Sequence, residues 1–236
     1  MDKRNQKKKN PKIPDDMLTE PEIKNLINTA KNKRDKALIG LLWDIGGRIG
    51  EIGHLKIKDI KFDDYGGIIK VNGKTGFRRV RAVWSVEYLK QWLNEHPDKN
   101  NPESPVWINL SKKKESIEIM QYDSIRMRIK KIAKKAGINK RIHPHLFRHS
   151  RCTYMANYLT EAQMNHYFGW VQGSNMPSIY VHLSGRDIDD AILKANGFTG
   201  NNNMENKGME INNFDDEIDR LVKKRVKEAL KNITWK

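Results

Sequence analysis

Cysteine is nearly absent from this chain of 236 residues, and it has no long apolar run. The single cysteine, Cys152, excludes an intramolecular disulfide and a cysteine-based zinc site, which is typical of proteins from a reducing compartment. No apolar stretch approaches the roughly 20 residues that a membrane-spanning helix needs, and the N-terminus lacks the apolar segment of a signal peptide. We therefore expect a cytoplasmic protein without a membrane partner.

Acidic residues are scarce relative to basic ones. The chain has 45 Lys and Arg against 29 Asp and Glu, which gives a net charge of +16. An excess of this size favours a polyanionic partner, nucleic acid ahead of an anionic membrane surface, although a generally lysine-rich proteome produces the same composition. The charge therefore indicates a nucleoid-associated protein that binds DNA.

Composition divides the chain into a body and two tails. Residues 1–14 are rich in lysine without apolar periodicity, so we expect a disordered basic arm. The body covers 15–198, and a polar, asparagine-rich linker follows over 199–213. Apolar residues at helical spacing over 214–236 predict an amphipathic helix, which packs either on its own body or on a neighbouring subunit.

The body predicts an α+β fold that is mainly helical. Helical patterns cover the segments 18–30, 34–45, 86–93 and 122–137. Three further helical patterns begin near residues 145, 160 and 187. Three short segments, LKIKDIKF (55–62), GGIIKV (66–71) and RRVRAV (78–83), are separated by turn sequences. These segments predict a three-stranded antiparallel meander with one apolar face and one basic face.

The stretch HPHLFRHS, residues 143–150, combines three histidines and an arginine without an acidic residue. A zinc site usually adds cysteine or carboxylate ligands at suitable spacing, and no nearby residue completes such a set. Pro144 favours a helix start, and a helix places His145 beside Arg148. We therefore interpret the stretch as a phosphate site built from free backbone amides, His145 and Arg148, and we assign no role to His143.

A second anchor is GGRIGEIGHL, in which Arg48 follows two glycines that end an apolar helix. Arginine in such core-like sequence needs an ion pair or an anion. A salt bridge with Glu51 is the simpler interpretation. In the functional interpretation, Glu51 holds one side of the guanidinium group and the other side binds a phosphate.

The third candidate is Tyr180, on the short predicted helix MPSIYVHL. By itself, a tyrosine there is more typical of a packing residue than of a catalytic one.

Five motifs, in order, resemble those of the tyrosine recombinases, or phage-type integrases. They are Arg48 in RIGE, Lys74 in NGKTGFRRV, HLFRH at 145–149, FGW at 168–170 and YVH at 180–182. The resemblance covers the family's catalytic domain, about residues 15 to 197, and SIYVHLSGRDIDDAILKANG is similar to archaeal members. It implies a site-specific DNA recombinase of a mobile element, such as an archaeal virus or plasmid, that acts on double-stranded DNA without a metal or other cofactor.

The resemblance also implies a mechanism. Tyr180 would attack a DNA phosphodiester, forming a 3′-phosphotyrosine and releasing a 5′-hydroxyl, so the bond energy is kept for rejoining. A phenol with a reference pKa of about 10 must lose its proton during attack, and His145 would accept it or orient the phosphate. Lys74 would protonate the leaving oxygen, and Arg48 and Arg148 would grip the non-bridging oxygens.

The other matched residues have lesser implied roles. Trp170 stands where many members of the family have histidine, and its indole N–H can donate a hydrogen bond to the phosphate but cannot exchange a proton. Residues expected to brace the catalytic ones are Glu51, His149 and His182. Residues expected to contact DNA beside Lys74 are Arg78 and Arg79.

The resemblance leaves three questions of class and assembly. Family members usually carry a helical core-binding domain upstream, whereas about fourteen residues precede the catalytic body here. The family also implies a homo-tetramer on DNA and a monomer free in solution. A nicking-closing topoisomerase and a truncated integrase acting as a DNA-binding competitor remain alternatives, and a metal-dependent nuclease is disfavoured because no cluster of paired carboxylates is evident.

Overall fold

The structure is a computed structural model that describes residues 17–110 and 117–184 and the isolated positions 192 and 196. The chain divides into two units, residues 1–186 and 187–236, and the fold described below belongs to the first. The predicted basic arm, the linker, the helix near 187 and the C-terminal amphipathic helix lie outside the described residues.

Helices dominate the described part of the chain, and the strands form one small sheet. The elements are α1 (Glu20–Thr29), α2 (Lys33–Ile45), α3 (Ile49–Gly53), β1 (Ile60–Asp63), β2 (Gly66–Gly73), β3 (Gly76–Ala82), α4 (Val86–Glu95), α5 (Tyr122–Lys135), α6 (Pro144–Met155), α7 (Glu161–Phe168) and α8 (Met176–Ser184). The predicted class, mainly helical with a three-stranded antiparallel sheet, is confirmed. Within the described ranges, no helix has the length and apolarity that crossing a membrane requires.

The sequences of α1 and α2 explain why these two helices form and where they pack. The Thr19 hydroxyl accepts a hydrogen bond from the backbone of Glu22, whose carboxylate accepts one from the backbone of Thr19, so α1 begins with a capping box. The second helix is buried along nearly its whole length and packs on α1, α4 and α6. It is the central helix of the main hydrophobic core.

The sheet has the order β1-β2-β3, and both pairs are antiparallel. The first strand begins at Ile60, five residues later than predicted. Backbone N–H groups of Ile57 and Lys58 donate to the carbonyls of Ser104 and Pro102, so this segment pairs with a loop instead of with β2 and forms a 3-10 turn. The period-two alternation of LKIKD therefore does not reflect a strand.

A second, smaller core lies among α6, α7 and α8. Its buried residues are Cys152, Ala156, Met164, Phe168 and Tyr180. Tyr180 is thus a core residue of the helical end of the domain, and the elements that carry HLFRH, FGW and YVH all meet there.

Candidate active site

The site begins where the central helix ends. Gly46 has φ +54, the left-handed conformation that glycine adopts without strain, and a side-chain carbon there would lie 2.9 Å from Cβ of Arg151. This turn leads directly into α3, where the Arg48 backbone N–H donates to Glu51 Oε2 at 2.9 Å. The guanidinium of Arg48 donates to Glu51 Oε1 at 2.9 Å, so the predicted ion pair is present.

Three arginines from three different elements donate to three consecutive carbonyls. The pairs are Arg78 with Tyr167 (2.9 Å), Arg148 with Phe168 (2.8 Å) and Arg48 with Gly169 (3.0 Å). These carbonyls lie at the C-terminal end of α7, where helix carbonyls lack intrahelical partners and carry partial negative charge. The end of this helix therefore gathers the guanidinium groups of α3, β3 and α6 at one place.

Arg148 is held from several sides. Its guanidinium also donates to the Gly46 carbonyl at 3.0 Å and lies 5.3 Å from the ring centroids of both Phe168 and Trp170. Burial lowers the pKa of Arg148 below its usual value, but an arginine starts so far above neutrality that it stays charged. A buried, fixed cation therefore lies beside the Trp170 turn.

Arg48 is the accessible member of the group. Its side chain is 28% exposed, whereas the side chain of its partner Glu51 is 3% exposed. Since the guanidinium has five N–H donors and uses two here, donors remain for an incoming anion. The Glu51 carboxylate thus holds one side of the group, which both interpretations of Arg48 require.

Arg78 lies inside the protein, which differs from the expectation that it contacts DNA. Its side chain is 6% exposed and forms a bidentate pair with Glu51, with Nη1 to Oε1 at 2.8 Å and Nη2 to Oε2 at 2.7 Å. Burial alone would raise the pKa of Glu51, but the hydrogen bonds from Arg78 and Arg48 outweigh it and lower the pKa to about 2. The carboxylate is therefore ionised at any physiological pH.

Tyr180 is buried, with 2% of its surface exposed. Its Oη is hydrogen-bonded to His149 Nδ1 at 2.8 Å, and its ring stacks on Trp170 with 5.6 Å between centroids and 8° between planes. Burial and the neighbouring Cys152 raise the pKa of Tyr180 above its ordinary value. Burial also raises the pKa of Cys152 to about 12, so this thiol is protonated at neutral pH.

His145 and Lys74 lie at the surface, as a DNA-facing group requires. His145 is exposed in the first turn of α6, and Lys74 and Arg79 are exposed on the β2–β3 hairpin. Across the described ranges, neither the side chain of His145 nor that of Lys74 makes a hydrogen bond or an ion pair. His145 is not in hydrogen-bond contact with Tyr180, because His149 occupies that position.

Two further histidines, His143 and His182, lie near the matched motifs in the sequence. His143 is the residue before α6, and its pKa is lowered by burial and by the charges of His145 and Arg141. The side chain of His182 lies outside the described residues. Among the side chains that the structure describes, no three His, Cys, Asp or Glu stand together in a way that could hold a metal ion.

The internal position of Arg78 was missed, although the sequence contains a signal for it. Side chains alternate between the two faces of a strand, so Arg78 shares a face with Val80 and Ala82. Both of these residues are buried. The basic character of FRRVR conceals this alternation, because arginine stands on both faces of β3.

Comparison with known proteins identifies the family. The chain matches the Phage integrase family over residues 16–186 and belongs to that family. Tyrosine recombinase XerA of Pyrococcus horikoshii is 30% identical over 200 residues, which cover 83% of this chain and 67% of that protein. The predictions of the family and of archaeal-like sequence are thereby confirmed.

Solved structures agree on the fold. The crystal structure of a XerA recombinase matches with a TM-score of 0.59 and 24% identity over 76% of this chain and 65% of that chain. A XerH site-specific recombinase bound to palindromic difH substrate, in a post-cleavage complex, matches with a TM-score of 0.59 and 22% identity over 78% of this chain and 54% of that chain. The chain thus spans about two thirds or less of these relatives.

Proposed function

We propose that the described domain is the catalytic domain of a site-specific DNA recombinase that cleaves and rejoins strands through a 3′-phosphotyrosine on Tyr180. One observation carries the proposal. Arg48 and Arg148 donate to adjacent carbonyls, those of Gly169 and Phe168, and Tyr180 stacks on Trp170, the next residue of the same turn. Two cations and a nucleophile from distant segments therefore share one small region.

The charge of this region suits phosphoryl transfer. Three guanidinium groups (Arg48, Arg78, Arg148) and one carboxylate (Glu51) leave a net charge of 3 − 1 = +2. A phosphodiester carries one negative charge, and attack by a phenolate brings a second into the pentacovalent state. Cations that are already in place stabilise this developing charge without reorganising during the reaction.

We assign the proton transfers to two groups, His145 and Lys74. His149 holds the Tyr180 hydroxyl in the buried position, while His145 stands exposed at the N-terminal turn of α6, where a phosphate binds favourably. His145 then accepts the phenol proton or orients the phosphate once Tyr180 has moved to the DNA. Lys74 on the β2–β3 hairpin protonates the departing 5′ oxygen. Trp170 donates its indole N–H to the phosphate.

The DNA path follows a basic cleft whose lining includes His143, the residue before α6. The cleft has a volume of about 670 Å³ and lies between α5 and the segment that leads to α6. Basic residues that line it include Arg126, Lys130, Lys134 and Arg141. With Arg79 on the hairpin they would neutralise backbone phosphates, so binding should weaken steeply as salt rises.

The partner and the assembly follow from the same proposal. Double-stranded DNA is the substrate, and the protein acts as a homo-tetramer on DNA, in the nucleoid, and as a monomer when free. Residues 214–236 carry the apolar stripe that would dock on a neighbouring subunit. Deleting 201–236 should therefore weaken assembly on DNA more than cleavage; complexes of equal size before and after deletion would argue against docking.

A trapping experiment tests the proposed activity. A library of nicked duplexes with a randomised central sequence is incubated with the protein, and covalent complexes are isolated on a denaturing gel. The proposal expects a covalent band from the wild-type chain and none from Tyr180→Phe. A band that survives this substitution would remove Tyr180 as the nucleophile. Relaxation of supercoiled plasmids that lack the selected site would favour the topoisomerase alternative.

A further inference from the structure

Arg78 makes several contacts inside the protein that a role in binding DNA at the surface does not explain. Its Nη1 and Nη2 bind the two oxygens of Glu51, and its Nε donates to the Tyr167 carbonyl at 2.9 Å. All three nitrogens of the guanidinium are thus engaged inside the protein. Because every nitrogen of this guanidinium group already donates to a protein acceptor, Arg78 is not placed to bind a DNA phosphate directly.

Glu51 links this buried arginine to the accessible one. Oε1 accepts from Nη1 of both Arg48 (2.9 Å) and Arg78 (2.8 Å), and Oε2 accepts from the Arg48 backbone (2.9 Å) and from Arg78 (2.7 Å). The carboxylate is therefore shared between two guanidinium groups. Because Arg78 satisfies half of its acceptor capacity, Glu51 orients Arg48 without enclosing it, and Arg48 keeps donors for an anion.

Two glycines pack directly against the Glu51–Arg78 pair. A side-chain carbon at Gly73 would collide with the Glu51 carboxylate, and one at Gly169 would lie 2.6 Å from Arg78 Nη1. Gly73 precedes Lys74 on the hairpin, and Gly169 precedes Trp170. The backbones of the Lys74 hairpin and of the Trp170 turn therefore contact the ion pair directly, and the geometry of the pair determines the positions of both segments.

Resting on the proposed recombinase function, we propose that Arg78 is a positioning residue for catalysis. Through Glu51 and the Tyr167 carbonyl it holds Arg48, the Lys74 hairpin and the Trp170 turn in one arrangement. Without it, Glu51 would bind Arg48 more completely, the Tyr167 carbonyl would lose its donor, and the hairpin and turn would shift against each other. The reaction would slow while binding to DNA, which depends on surface cations, would persist.

The test compares substitutions at two arginines of the same strand. Arg78→Met removes the buried pair at similar length, and Arg78→Lys keeps the charge but loses the bidentate geometry. Arg81→Met is the matched control, since Arg81 also pairs with a carboxylate, that of Asp63, but lies partly exposed at the surface. Measured quantities are the rate of covalent complex formation on the trapped duplex at saturating protein, the affinity for that duplex, and the melting temperature.

We expect Arg78→Met to slow covalent complex formation about 100-fold, the size of effect that a small misplacement of catalytic groups produces, with little change in affinity. Arg78→Lys should fall between this variant and the wild type, and Arg81→Met should react at the wild-type rate. If Arg78→Met does not fold, Arg78→Lys decides the matter. A lysine variant as fast as the wild type would overturn the proposal.

The pH profile separates positioning from a purely structural role. The hydrogen bonds from Arg78 lower the pKa of Glu51, so removing Arg78 raises that pKa, while the hydrogen bonds from Arg48 still lower it. As the pH falls, Arg78→Met should therefore lose activity at a higher pH than the wild type does. A loss equal at every pH and matched by a lower melting temperature would show a structural role only. A wild-type chain without any covalent band would instead defeat the proposed function, and this inference with it.

Discussion

His149 Nδ1 lies 2.8 Å from the hydroxyl oxygen of Tyr180, and this contact holds the proposed nucleophile inside the small helical core. The Tyr180 ring is covered by Trp170 on one face, so a DNA phosphate cannot reach the hydroxyl in this arrangement. The proposed cleavage by Tyr180 therefore requires α8 to move when DNA binds. Arg48 needs no such movement, because its side chain is 28% exposed and is already held by Glu51 and the Gly169 carbonyl.

The hydrogen bond between these two residues should be measurable as a coupling energy. His149→Phe and Tyr180→Phe each remove it, and each should lower the free energy of unfolding by about 1 kcal/mol. The double variant should cost less than the sum of the two, since the bond can be lost only once. Urea unfolding of the four proteins checks this. Strictly additive effects would show that the contact contributes nothing to stability.

The stability of the fold should decrease as the pH drops below about 6.5, the pKa of an unperturbed histidine. Burial, and then the nearby charge of His145, lowers the pKa of His149 in the folded protein, so the unfolded chain binds a proton at a higher pH. The contribution of His149 to the free energy of unfolding is therefore complete above the pKa of the unfolded chain, about 6.5. It decreases as the pH falls from there toward the lower pKa of the folded protein.

Urea unfolding at pH 7.5 and pH 5.5 measures this change, and His149→Phe identifies its source. The variant should show a smaller difference between the two pH values than the wild type. Part of the difference should remain, because burial also lowers the pKa of His96 and His143. An unchanged difference in the variant would mean that His149 does not contribute.

Removing the Glu51 charge should strongly lower the free energy of unfolding. In Glu51→Gln the buried guanidinium of Arg78 loses its counter-ion, and breaking a buried pair from one side costs about 3–5 kcal/mol. Asp63→Asn breaks the partly exposed pair with Arg81 and should cost about 1 kcal/mol or less. Thermal and urea unfolding of the two variants make the comparison. Equal losses would contradict the burial that distinguishes the two pairs.

Lys74 should matter to the leaving group and little to folding. It is exposed on the hairpin, so Lys74→Met should keep the wild-type melting temperature while slowing cleavage. A duplex whose scissile 5′ oxygen is replaced by sulfur releases a thiolate, which needs no proton from a general acid. This substrate should restore most of the rate to Lys74→Met. Equal slowing on both substrates would make Lys74 a phosphate contact instead.

Much of the architecture could be predicted because local signals were strong. The helical pattern over 18–30 corresponds to α1, the apolar sequence of α2 is buried, and the hairpin of Lys74 joins β2 and β3. The proximity of Arg48 and Arg148 came from a resemblance to a family. The residues alone do not contain it, since no local pattern links α3 to α6.

Two features could not be predicted because they depend on side-chain packing. His145 and His149 are one helical turn apart, so both can face the same region, and only the packing of α8 decides which one contacts Tyr180. Arg78 follows the alternation of β3, but whether that face binds DNA or a buried carboxylate depends on the position of Glu51 in another element.

The most direct measurement of the central claim identifies the amino acid that becomes joined to DNA. The covalent complex is digested with protease and nuclease, and mass spectrometry locates the residue that carries the remaining nucleotide. The account predicts a single adduct on Tyr180 through a 3′ phosphate, with a free 5′-hydroxyl on the released strand. An adduct on the exposed Tyr154 or Tyr158, or a link through the 5′ end, would contradict it.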